Sequence, residues 1–385
     1  MMHRYPTGMR ALRLGALVLA GLLLALLAAC SSAPRQPDPT PLQPVPPILH
    51  VAKAWSAHIG AVAPNLRIAV AGSRVVVASN DGQVRCLRAD DGATLWRSQV
   101  AGGVSAGVGS DGSFSAVVNQ DNQVVALGPQ GQVLWRYRLP TSVLTAPAVF
   151  GGMIIVQGAD EHLWAFNAAT GALLWDDAFE PPSLLLQRGS GIVRVGDALV
   201  LGDASGHLRA LRLRDGTSLW DSMLVQPRGF TDVERLVAIT GAPAVAQSTV
   251  CARAYQTGLG CLSLADGHLL WSAQANGYTG VSQDGKLLVA TQADGVVQSY
   301  AVADGKPGWH NDQLKWRDLS APLLLGHTVA VGDLHGYVSF LDAGSGRIIG
   351  RVSTDGSAIA SPLALAGKTL VVLTRDGAVY GFVPR

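Results

Sequence analysis

The chain has 385 residues, of which 48% are hydrophobic, only 15% are charged and 45 are glycine. Its 29 basic and 27 acidic residues nearly cancel, which argues against a cationic surface for nucleic acid. Few charges, abundant glycine and a large apolar fraction suit many short buried strands joined by tight turns.

Residues 1–29 read as a signal peptide outside the fold. Arg4, Arg10 and Arg13 precede an apolar run from Leu14 to Ala29, too short for a comfortable membrane span and ending abruptly at Cys30-Ser31-Ser32. Leu27-Ala28-Ala29-Cys30 fits the bacterial lipoprotein box, where small residues suit the signal peptidase and the thiol takes the lipid. Cys30 is then the lipidated first residue of the mature chain, held at a membrane by its acyl chains. Ser31, in place of an aspartate that would signal inner-membrane retention, implies the outer membrane by the lipoprotein rule. Losing three of the 29 basic residues with the signal leaves 26 against 27 acidic ones, a net charge of −1.

Residues 30–50 carry Pro34, Pro37, Pro39, Pro41, Pro44, Pro46 and Pro47, the composition of an extended linker without a core. The folded body is expected over residues 51–385. There one wording recurs, most plainly as Asn167-Ala-Ala-Thr-Gly171-Ala-Leu-Leu-Trp175, a glycine-marked turn followed by a strand ending in tryptophan. The tryptophans fall at positions 55, 96, 135, 175, 220, 271 and 309, and a degenerate eighth copy ends in Gly350. A period of about 40 residues marks a propeller or a solenoid.

Between the tryptophans each repeat supplies a short inner strand, a β-branched run, a turn and an alternating strand. Examples are Arg74–Ala78 with Gln83–Leu87 and Thr369–Leu373 with Ala378–Phe382. This predicts an all-β, eight-bladed propeller with four antiparallel strands per blade. The first tryptophan unit has no preceding hairpin, and the last repeat lacks its tryptophan strand. Pairing the N-terminal strand with the C-terminal blade therefore closes the ring and leaves no long edge.

Because they recur once per blade, Trp96, Trp135, Trp175, Trp220, Trp271 and Trp309 read as mortar between blades, docked on the neighbouring turn glycine. Cys86 and Cys261 stand where Ala165 and Ala210 stand in other repeats, so they read as small buried side chains. Cys251 and Cys261 also flank a turn at Gln256–Gly258, which leaves a cross-strand disulfide open in an oxidising compartment.

No catalytic, metal or cofactor site emerges. Gly107-Val-Gly109-Ser-Asp-Gly112 and Gly103-Val-Ser105-Ala-Gly107 spell dinucleotide and hydrolase patterns, but neither precedes the helix that those chemistries need. The nine histidines show no paired metal spacing.

The Ala-x-Asp-x-x-Thr-Gly-x-x-x-Trp wording, best matched over Ala165 to Trp175, resembles the tryptophan-docking repeat of quinoprotein-like β-propellers. Eight such blades behind a lipobox and a short stalk resemble the BamB family, the lipoproteins of the outer-membrane β-barrel assembly machinery. The resemblance covers essentially the whole mature chain. It implies a non-catalytic scaffold at the outer membrane, facing the periplasm, with BamA and the rest of the assembly complex as partners and unfolded outer-membrane proteins as clients. The alternatives are a quinone-dependent dehydrogenase, which shares the repeat, and a scaffold for another envelope complex. Dehydrogenases of that class are usually longer and often carry adjacent cysteines, and this sequence has no adjacent pair.

The tryptophan spacing stretches to 45 residues before Trp220 and 51 before Trp271, so insertions concentrate beside the fourth repeat. One holds Pro181 to Gly191 and the other Ser222 to Arg235, and insertions in repeat proteins become recognition loops. An apolar triplet beside an arginine makes a docking patch, although Leu184, Leu185 and Leu186 also fit an inner strand. In the BamB family a Leu-x-Leu-Arg-Gly stretch here contacts BamA. Its matches are Leu184, Leu186 and Arg188, with Gln187 inserted before the arginine. The resemblance places an acidic pair where this sequence has Ala238 and Thr240, which leaves open an ion-pair part of the contact and puts the weight on the leucine-arginine segment.

Overall fold

A computed structural model of the chain describes residues 37–45, 48–182, 184, 186, 189–227, 230, 231 and 235–385. Cys30 and Arg188 lie outside the described residues. The chain divides into two compact units, Met1–Asp38 and Pro39–Arg385.

The second unit consists of eight four-stranded antiparallel sheets. In chain order, blades 1 to 7 span residues 69–99, 106–138, 148–178, 193–223, 239–274, 281–311 and 323–353. Blade 8 combines residues 364–384 with the strand Val51–His58, which pairs antiparallel to Ala378–Pro384 from Val51↔Pro384 to His58↔Ala378. The two ends of the sequence thus share one sheet.

Within a blade the second strand is the most apolar. Arg74–Ala78 buries every residue after its arginine, and Thr369–Leu373 is buried throughout. Burial on both faces explains the unbroken β-branched runs, since each sheet is sandwiched between two others. The outermost strand alternates instead: in Leu173–Ala178 only Trp175 is fully buried, while Leu173 and Leu174 are exposed.

The joints between blades follow one plan. The indole of Trp135 in blade 2 lies over Gly171 of blade 3, and its Nε1 donates to Ala168 O at 2.8 Å. Trp175, Trp220, Trp271 and Trp309 donate likewise to Leu213, Leu264, Val302 and Ala343, and Trp55 donates to Ala89 O at 2.7 Å. Trp96 covers Gly131 in the same way. Gly171 closes a single helical turn, its N–H donating to Asn167 O, with φ at +76°. A Cβ there would meet the indole at 2.9 Å, so both the turn and the ring require glycine.

In blades 1 to 5 a small residue stands directly opposite the tryptophan: Cys86↔Trp96, Ala126↔Trp135, Ala165↔Trp175, Ala210↔Trp220 and Cys261↔Trp271. Directly opposed residues share a sheet face, and a large pair would push the next blade away. In blade 7 the sizes are exchanged, with Phe340 opposite Gly350. The joint from blade 7 to blade 8 therefore lacks an indole.

Ile48 and Leu49 fill that place. Ile48 N and Leu49 N donate to Ile349 O, and a Cβ on Gly350 would meet Leu49 O at 2.8 Å. Leu49 packs into the core between blades 7 and 8, whereas Leu42 and Val45 pack onto that between blades 6 and 7. Thr40 N donates to Lys315 O, Arg317 Nη1 donates to Thr40 O at 3.0 Å, and Arg351 Nη1 donates to Gln43 O at 3.0 Å. The segment expected as a linker over residues 30–50 is thus tied to the ring at Thr40, Leu42, Gln43, Val45, Ile48 and Leu49. Proline composition said nothing of the leucines and carbonyls that tie it down.

Cys251 and Cys261 are directly opposed in blade 5 and joined by a disulfide. Both are buried, as is the free Cys86, whose thiol pKa burial pushes up.

Candidate docking site

The two insertions leave the outer strands of blades 3 and 4 and lead to the inner strands of blades 4 and 5. The inner strand of blade 4 is Val193–Val195, so Leu184 and Leu186 precede it in a loop rather than forming it. Leu184 is 39% exposed, while Leu186 is half-buried. The loop ends firmly. Ser190 Oγ donates to Gly241 O at 3.2 Å and accepts from Gly202 N at 3.0 Å, binding the segment to its own blade and to blade 5.

Ala238 and Thr240 are both 2% exposed. These positions belong to the wall between blades in this chain. In the second insertion Phe230 is fully exposed, and Thr231 O accepts from Arg235 N at 3.1 Å. A groove of about 680 Å³ opens at the start of that insertion, lined by Leu224, Val225, Gln226, Thr257, Ala273 and Asn276.

Beneath Leu186 lies a polar cluster that the sequence reading missed. A small cavity there is lined by Leu186, Gly189, Gln157, Glu161 and Ala204. Glu161 Oε2 accepts from Gln157 Nε2 at 2.8 Å, and its Oε1 accepts from Ala204 N of blade 4 at 3.1 Å. Burial raises its pKa to about 7 against the hydrogen bond from Gln157, and nearby Asp203 adds to the rise. Arg209 balances the neighbouring acids, pairing with Asp203 at 2.8 Å and Asp221 at 3.4 Å while its guanidinium lies 3.8 Å from the centre of the Phe179 ring. A signal existed in the sequence. Blades 1, 4, 6, 7 and 8 place Gly82, Gly206, Gly295, Gly336 and Gly377 at this turn position, all at positive φ, and Glu161 adopts φ +63° there. A non-glycine residue in that conformation marks a position held by its contacts.

Among the described residues no group of three or more His, Cys, Asp and Glu side chains is placed to hold a metal ion. Two histidines pair with acids at the surface, His207 Nδ1 with Asp221 Oδ1 at 2.6 Å and His162 Nε2 with Asp176 Oδ2 at 3.1 Å.

An eight-bladed ring locked by indole-on-glycine joints, with insertions gathered on neighbouring blades, defines a tryptophan-docking β-propeller. The sequence profile described as outer membrane protein assembly factor BamB matches residues 52–103, 80–311 and 293–383. The BamB of Burkholderia pseudomallei is 40% identical over 363 residues, covering 94% of this chain and 95% of the relative. That of Bordetella pertussis is 34% identical and covers 95% of both. This chain belongs to the BamB family. The crystal structure of BamB from Moraxella catarrhalis superposes with a TM-score of 0.79 at 23% identity, covering 87% of this chain and all of that one. A quinohemoprotein alcohol dehydrogenase from Comamonas testosteroni shares the fold, with a TM-score of 0.68 at 13% identity over 88% of this chain and 77% of its own.

Proposed function

We propose that this chain is a non-catalytic scaffold of the outer-membrane β-barrel assembly machinery, docking on BamA and assisting insertion of β-barrel proteins into the outer membrane. The observation that carries this reading is the 40% identity, over nearly the full length, to a relative named an outer membrane protein assembly factor. Lipid on Cys30 holds the propeller to the outer membrane on its periplasmic side. Leu184, Leu186 and Arg188 form the BamA contact, the leucines supplying apolar burial and the arginine a multidentate anchor. The exposure of Leu184 and the anchoring of the loop end at Ser190 support that assignment, because a patch on a fixed support loses little freedom on binding. With acids absent at positions 238 and 240, the contact rests on the leucine and arginine segment. Tethering and docking together raise the local concentration of the assembly machinery around an incoming precursor.

Crosslinking in membranes followed by pull-down tests the reading. Leu184→Glu and Arg188→Glu reduce recovery of BamA, and with Leu184 exposed the melting temperature of the first variant stays within about 2 °C of the parent. Full recovery with both variants removes this patch from the contact. Capture of a different envelope complex, with no BamA, overturns the assignment of partner. Cys30→Ser moves the protein from the membrane to the soluble fraction if the lipid is its anchor.

A further inference from the structure

Arg253, in the second strand of blade 5, is among the largest fully buried side chains of the ring. The same strand position holds Ala78, Gly202, Gly332 and Leu373 in other blades, so the repeat itself does not call for a cation. Arg253 stands opposite Thr240 on one side and Leu259 on the other, and opposed residues share a sheet face. That face is turned toward blade 6, because Cys251 and Leu259 pack there with Val281, Leu288 and Tyr300. The guanidinium enters this joint and lies against the bare Cα of Gly277, where any larger residue would collide with Nη1.

Its polar atoms are unmatched. Among the described residues Nε, Nη1 and Nη2 of Arg253 have no hydrogen-bond partner, and neither does Thr240 Oγ1 on the same face. The group remains cationic at neutral pH, since burial lowers its pKa only to about 10. An enclosed guanidinium without a counter-charge is strongly unfavourable, and buried charges are ordinarily paired.

We infer that Arg253 and Thr240 form a buried site between blades 5 and 6 for one small monovalent anion, chloride or a simple carboxylate. The guanidinium supplies convergent N–H donors and the single compensating charge, and the threonine hydroxyl supplies a further donor. Complete enclosure of the side chain selects a free ion over an acidic side chain of a partner, which would have to pass between two packed sheets.

The test holds the mature protein at fixed pH and ionic strength while isethionate is exchanged for chloride or acetate. The melting temperature of the parent rises with each tenfold increase in chloride above its dissociation constant. Arg253→Met, an apolar replacement of similar length, melts higher than the parent without chloride and loses the chloride response. An equal response in parent and variant, or none in the parent, overturns the site. Should the variant fail to fold, crystals of the unmutated protein grown with bromide decide the matter. An anomalous peak within hydrogen-bonding reach of Arg253 Nη1 and Thr240 Oγ1 supports the site, and bromide confined to the outer surface overturns it.

Discussion

Seven joints of the ring are closed by an indole, whereas the joint between blades 7 and 8 is closed by a strap. At the ordinary joint one side chain does two tasks, covering a bare glycine and capping a turn carbonyl with Nε1, as Trp175 does with Gly216 and Leu213 O at 3.1 Å. At the closing joint these tasks are divided among Leu49, two backbone N–H groups and the carbonyl of Ile349. The difference shows that the repeat specifies a volume to be filled and a backbone to be satisfied, and that a separate stretch of chain can meet both demands.

The comparison breaks most clearly at an ordinary joint. Trp175→Ala removes a buried ring and leaves Leu213 O unmatched, with an expected loss of about 3–5 kcal/mol in denaturant unfolding. Gly346→Ala places a methyl group inside the ring of Trp309 at φ +70°, with an expected loss of about 2–3 kcal/mol by the same measurement. Leu49→Ala at the closing joint lowers stability by about 1–2 kcal/mol, less than the tryptophan change because Leu49 is only partly buried. A loss equal to that of Trp175→Ala would make the strap an equal partner of the indoles.

A polar contact across blades 3 and 4 sharpens the comparison through pH. The carboxyl of Glu161 has its pKa raised from 4.5 to about 7 by burial, so the folded state holds a proton that the unfolded chain releases. Its contribution is therefore full below about pH 4.5 and declines as pH rises toward about 7. Glu161→Gln flattens that decline, by roughly 3 kcal/mol between these limits, in urea unfolding followed across pH. An unchanged pH profile would show that Glu161 is solvated at this joint.

The blade count, the strand order and the closure by Val51–His58 were legible because the repeat states them eight times and its two ends are complementary. The strap was not legible, since Leu42, Val45 and Leu49 stand among prolines with no period to mark them. Its one trace was Gly350, a missing indole that required some other filling. Leu184 and Leu186 stayed ambiguous between strand and loop because a short apolar run fits both. The cluster around Glu161 and the buried Arg253 escaped for a different reason: each is a single departure from the repeat, and its partners come from another blade. Cys251 and Cys261 illustrate the same limit, since their spacing allowed a bond and only the strand register brought them opposite one another.

Closure by both termini also imposes an order of events. A chain that emerges N-terminus first presents Val51–His58 long before Ala378–Pro384, its only sheet partner, has been made. For that interval the strand is an unpaired edge, open to wrong partners and to chaperones, and more than 300 residues separate the two halves of the blade that completes the circle. The last blade is therefore completed only once residues 378–384 have been made, and a truncation near residue 378 should leave seven assembled blades with an open seam rather than a smaller closed ring.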